Sequence, residues 1–67
     1  MTRASEHTRR QLADALRHKL ATKPLQKITI RELVEECGLN RQTFYYHFKD
    51  IYDLLRWMFV YDGEQLL

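Results

Sequence analysis

The chain has 67 residues and a mass of 8.2 kDa, enough for one small domain that buries only about 60% of its unfolded surface. It is 45% hydrophobic and 30% charged, so composition excludes a disordered chain, and its longest apolar run, Trp57–Tyr61, excludes a membrane span. The net charge of +2 hides an asymmetry: seven Lys/Arg against two acids give +5 over residues 1–27, while residues 28–67 carry −3. A basic N-terminal third suits either a polyanion partner or an ordinary solvated helix face.

Two Gly and one Pro leave little punctuation, which favours a few helices over a many-turned sheet. The lone Cys37 forms no internal disulfide and fits a reducing, cytoplasmic setting. No apolar signal core follows the basic N-terminus. The length leaves no room for a usual catalytic cleft and its supporting shell, so no enzyme is expected.

The first helix is expected from about Glu6 to Thr22, with Ser5 as N-cap and Glu6 suited to the positive helix start. Leu12, Leu16 and Leu20 recur every four residues, with Ala13 beside them, as one apolar stripe. Pro24 stops this helix, and Lys23 to Ile28 is a short connector.

The second helix is the best specified. Thr29-Ile30-Arg31-Glu32 is a capping box, in which the Thr29 hydroxyl accepts from the Glu32 amide while Glu32 reaches back. Ile28 and Leu33 stand at the positions of a hydrophobic staple. Ile30, Leu33, Val34 and Cys37 fall at i, i+3, i+4 and i+7, one buried face, and Gly38 follows as a left-handed terminator.

Only Gly38, Leu39 and Asn40 separate it from a third helix. Asn40 is its N-cap, and Leu39 with Phe44 repeats the staple. Phe44 and Phe48 point inward one turn apart, and at 100° per residue Tyr46 falls nearly opposite them. Lys49-Asp50 breaks the helix, and Asp50 caps a fourth, with Ile51, Leu54, Leu55 and Met58 as its inner stripe. Beyond that stripe Trp57, Phe59, Val60 and Tyr61 make the helix apolar nearly all round, and such a helix has to be buried.

Two short helices joined by a three-residue turn containing Gly are a helix-turn-helix, here with a helix on each side. The fold expected is all-α, a three-helix unit of this kind plus the start of a fourth, connecting helix, with the two motif helices at about 29–37 and 41–48. The outward face of the second motif helix gathers Arg41, Gln42, Thr43, Tyr45, Tyr46 and His47 in seven positions, with no acid before Lys49. Arg forks onto guanine and Gln pairs bidentately with adenine in the major groove. Thr, Tyr and His donors suit phosphate oxygens, which position without reading sequence, and the helix start adds amides and a positive dipole end. Double-stranded DNA is the partner this face fits. The competing reading is a small helical protein-interaction module, or a face merely solvated, although adjacent exposed tyrosines gain little from water.

Other chemistry finds no support. His7, His18, His47 and Cys37 lack metal-ligand spacing, no glycine-rich phosphate loop exists, and no cofactor is expected. Cys37 lies on the buried stripe as a small core residue, not a nucleophile.

The run Gly38-Leu39-Asn40-Arg41-Gln42-Thr43-Phe44-Tyr45-Tyr46-His47-Phe48-Lys49-Asp50 resembles the signature of the tetracycline-repressor (TetR) family. Ile28 to Leu33 is similar to that family's second-helix start, and Ala13, Leu16 and Leu20 to its first helix, so the likeness spans about residues 5–60. It implies a cytoplasmic bacterial regulator that binds a palindromic operator as a homodimer and releases it on binding a small-molecule effector. Position by position, it implies base contacts from Arg31, Arg41 and Gln42. Tyr45, Tyr46, His47 and Lys49 would meet phosphates or base methyls, with Thr29 on a phosphate. Ile51 stands where members carry a phosphate-touching Lys, Cys37 replaces their usual Ala, and Pro24 occupies a connector that in members holds a Gly. Members also carry a larger C-terminal helical domain for effector and dimerisation, so residues 1–67 are expected to be the DNA-binding portion of a longer regulator. Trp57, Phe59, Val60 and Tyr61 would otherwise pack onto that domain, and are expected to lack cover here. The stretch Lys49 to Leu55 further resembles the branch related to dihydroxyacetone-kinase operon regulators.

Overall fold

A computed structural model describes the backbone of residues 3–66 and the side chains of residues 5–61. Four α-helices make up the described fold: α1 (Arg3–Leu20), α2 (Ile30–Cys37), α3 (Arg41–His47) and α4 (Ile51–Leu66), with a 3-10 turn at Leu25–Lys27 between the first two. The first helix starts earlier and ends sooner than its sequence suggests. Ser5 lies inside α1 and is not its cap, because the helix already runs from Arg3. At the other end the last helical turn closes through Lys23 N–H to Lys19 O, so α1 stops four residues before Pro24. Pro24 instead sits, extended, at the head of the 3-10 turn, where its fixed φ suits the start of a new turn.

The three later helix starts follow their caps. At α2 the Thr29 hydroxyl accepts from Glu32 N–H while the Glu32 carboxylate accepts from Thr29 N–H at 2.8 Å, a complete capping box. At α3 the Asn40 side chain accepts from Thr43 N–H at 2.9 Å. At α4 Asp50 accepts from Asp53 N–H at 2.8 Å, and Asp53 accepts in turn from Lys49 N–H at 3.0 Å. Both carboxylates are therefore helix-start groups.

The end of α2 sets the angle of the motif. Gly38 has φ 69°, Leu39 N–H donates to Val34 O at 2.8 Å, and Gly38 N–H donates to Glu35 O at 3.2 Å. These are the paired bonds of a Schellman ending, which turns the chain sharply into α3. Helix α3 ends differently, on Phe48 in an extended conformation at φ −138° and ψ 146°, with its N–H donating to Phe44 O at 2.9 Å.

Helix α1 is the central strut, packed against each of the other three. Its Leu12 and Leu16 are fully buried, and Ala13 and Ala15 lie between them as close-approach points. Leu33 and Val34 of α2, Phe44 and Phe48 around α3, and Leu54 and Met58 of α4 complete the core, with Ile28 tucked under α2. The two staples hold: Ile28 with Leu33, and Leu39 with Phe44, all pack in or against this core. Ile51, Leu55 and Trp57 pack half-buried on its edge.

The apolar end of α4 divides into two halves. The Trp57 and Tyr61 rings stack at 5.2 Å with 12° between planes, and Arg10 of α1 places its guanidinium carbon 5.1 Å from the Tyr61 centroid. These two aromatics therefore find cover on α1, against expectation. Phe59 and Val60 remain 63% and 57% exposed, as expected of α4 residues that lack cover among the described residues. No helix among the described residues is long and apolar enough to cross a membrane.

Candidate functional site

Helix α3 is laid down so that one side locks into the core and the other faces out. Phe44 is fully buried and Phe48 nearly so, their rings 5.8 Å apart. Across the helix Tyr46 is 83% exposed, and Arg41, Gln42, Tyr45 and the following Lys49 are exposed with it. Tyr45 leans edge-on against Phe44 at 5.5 Å, so its ring is braced while its hydroxyl end is free to reach outward. Neither Arg41 nor Lys49 makes an ion pair with any described residue.

The remaining sequence candidates are less free. Thr43 is half-buried, and its hydroxyl donates to Asn40 Oδ1 at 3.0 Å. The Thr29 hydroxyl both accepts from Glu32 N–H and donates to the Glu32 carboxylate at 3.2 Å. Either threonine would have to give up this side-chain hydrogen bond to offer its proton to a phosphate. His47 is half-buried, edge-on to Tyr46 at 5.0 Å, and its Nδ1 is enclosed without a hydrogen-bond partner. That nitrogen has no path to a ligand. Burial, and then the positive charge of Arg9, pull the His47 pKa below 6.5, so the ring is neutral at pH 7.

Arg31 is well exposed on α2, and its Nε donates to Glu35 at 3.1 Å. Glu35 is a neighbour that sequence reading missed, although the i, i+4 spacing of the two residues was there to find it. The basic N-terminal third is likewise more occupied than its composition implies. Arg10 pairs with Glu6, Arg17 with Asp14, Lys19 with Glu36, and Lys23 with Glu32. The +5 already counts Glu6 and Asp14, so the further neutralisation within the domain comes from Glu36 and Glu32, which engage Lys19 and Lys23. The Lys23 contact, with the Thr29 amide second, lowers the Glu32 pKa to about 2.

Among the described residues, other chemistry has no assembled site. Cys37 donates its thiol to Gln11 O at 3.3 Å, and burial first, then Glu36 and Asp14, raise its pKa, the opposite of an activated nucleophile. A cleft between α1 and α4, lined by Arg10, Asp14, Arg17, Trp57 and Tyr61, holds about 80 Å³, well short of the roughly 300 Å³ at which ligand pockets begin. No group of three or more potential metal ligands comes together among the described residues.

Compared with known families, residues 12–58 match the model described as "bacterial regulatory proteins, tetR family". The match runs from the middle of α1 to Met58 in α4 and includes the whole α2–α3 unit. No curated protein matches the chain.

Proposed function

Because the chain belongs to the tetR family of bacterial regulatory proteins and is a helix-turn-helix DNA-binding domain, we propose that α3 enters the major groove of an operator and reads it with its outward face. Arg41 and Gln42, at the start of α3, meet base edges. Tyr46 lies flat toward a thymine methyl or a sugar, while Tyr45 and Lys49 hold phosphates on either side of the groove. Arg31 adds a base contact from α2, and Thr29 and His47 lie at the margin of the footprint. One observation carries this reading: an 83% exposed tyrosine stands at the centre of a polar face that has no acid from Asn40 through Lys49.

In this reading residues 1–67 form a single domain of a cytoplasmic regulator whose dimerising and effector-binding helices lie outside them. The dimer places two α3 helices on the half-sites of a palindrome, and a small-molecule effector shifts their spacing. The exposed Phe59 and Val60 on α4 support a partner surface on the side away from α1. The stretch from Lys49 to Leu55 favours the branch related to dihydroxyacetone-kinase operon regulators.

A salt titration tests the reading against a protein-interaction module. DNA affinity through several phosphates falls steeply with salt, with a slope near 0.9 per phosphate neutralised. A titration in which the domain shows no salt-dependent affinity for any duplex would reject it.

A further inference from the structure

We infer that Glu35 is a positioning residue for Arg31, holding its guanidinium so that the far edge of the fork is presented to a base. The inference rests on the reading of Arg31 as a base contact and adds to it the residue that makes the contact selective.

The geometry is specific to this pair. A guanidinium has two useful edges: a side edge that includes Nε–H, and a distal edge made by the two terminal amino groups. Bidentate recognition of guanine uses a forked pair of donors in fixed geometry. Arg31 meets Glu35 through Nε at 3.1 Å, which engages the side edge and leaves the distal edge for a ligand. By contrast Arg10 meets Glu6 through Nη2 and Arg17 meets Asp14 through Nη1, so in both a terminal amino group of the distal edge is already engaged. Arg10 and Arg17 belong to α1, whereas Arg31 sits at the start of α2, the helix that packs directly on α3. The carboxylate bonded through Nε is thus on the arginine of the motif's own first helix, the one that the proposed reading places on a base.

Glu35 has little else to do. It is exposed, one turn after Arg31, and an exposed pair of this kind adds little to stability. A negative charge beside a base-contacting arginine also repels the polyanion, a cost to affinity for any duplex. A long arginine side chain loses rotamer freedom when it is fixed on a base, and a partner that fixes it beforehand reduces that loss. Glu35 therefore trades general affinity for discrimination at one base pair.

The experiment measures binding of wild type, Arg31→Ala, Glu35→Ala, Glu35→Gln and the double alanine variant to a set of single-position operator variants, with melting curves beside them. Arg31→Ala identifies the base pair that Arg31 reads, as the position where discrimination collapses. Glu35→Ala is expected to lower discrimination at that same position by about tenfold, within the range set by one bidentate pair, while its affinity for scrambled DNA stays level or rises. Glu35→Gln, which still accepts from Nε–H, keeps most of the discrimination, and the double variant is no worse than Arg31→Ala. Unchanged discrimination in Glu35→Ala, or a uniform change at every position, overturns the inference. If Arg31→Ala alters no position the inference also falls, but DNA reading by α3 stands or falls separately, on Gln42→Ala in the same assay.

Discussion

Phe44 and Tyr46 lie two residues apart on one short helix and face opposite ways, the first fully buried and the second 83% exposed. Packing and recognition are thereby separated along α3, and two substitutions should separate them in solution. Phe44→Ala opens a cavity under the motif and is expected to cost about 3–5 kcal/mol, enough to unfold a domain of this size. Tyr46, 83% exposed, meets the edge of His47 but none of the core, so Tyr46→Ala should leave the melting curve within about 0.5 kcal/mol of wild type, yet weaken operator binding. Thermal melts and a binding titration on the two variants check the pair of outcomes. If Tyr46→Phe retains most of the affinity, the ring is what contacts DNA, and its hydroxyl contributes little.

Lys49 follows α3 and carries a charge that no described acid engages. Lys49→Ala is expected to lower affinity for operator and scrambled duplex alike, and to reduce the salt slope by about one. Titration at four or five salt concentrations reads both effects. An unchanged slope would remove Lys49 from the phosphate contacts.

Gly38 tests the joint between the motif helices. Its φ of 69° lies in the left-handed region, and a Cβ built there would meet nothing within 4 Å. The cost of Gly38→Ala is therefore conformational alone, about 1–2 kcal/mol. Asn visits this region more readily, so Gly38→Asn should recover part of that loss. Urea denaturation orders the three proteins. Base preference should be the same for all of them wherever they are folded.

Two groups make the fold acid-sensitive in separate windows. His47 has a folded pKa below its ordinary 6.5, so it binds its proton less readily folded than unfolded. Its stabilising contribution is present above pH 6.5 and is lost as pH falls through the depressed value. Glu32, held at about 2 by Lys23 and Thr29 against an ordinary 4.5, contributes fully above pH 4.5 and loses that contribution as pH falls toward 2. Stability measured against pH should thus decline in two steps on acidification. His47→Gln removes the upper step and Glu32→Gln the lower, and a single step that both variants leave intact would contradict this account.

The sequence made the helix starts at Thr29, Asn40 and Asp50 legible because a cap is a local bargain among residues three apart. The same locality explains the inward Phe44 and outward Tyr46, which follow from helical period alone. Where the outcome depended on how helices cross, reading failed. Ser5 has the chemistry of a cap, yet α1 runs through it from Arg3. Lys23 and Glu32 meet across a connector whose course no periodicity dictates. Trp57 and Tyr61 were expected bare, but α4 crosses α1 so that Arg10 lies over Tyr61, which stacks on Trp57. Thr43 and Thr29 had the right donors for phosphate, and only the structure shows their protons already engaged by the Asn40 and Glu32 side chains.

The most direct test of the central claim, that the outward face of α3 reads base sequence, is selection of bound duplexes from a random pool by wild type and by Gln42→Ala in parallel. Wild type should recover a defined half-site. Gln42→Ala should recover the same half-site with preference relaxed at one base pair, at a cost of about 1–3 kcal/mol in affinity for the original. Recovery of an identical motif by both proteins, or of no motif by wild type, would contradict the account.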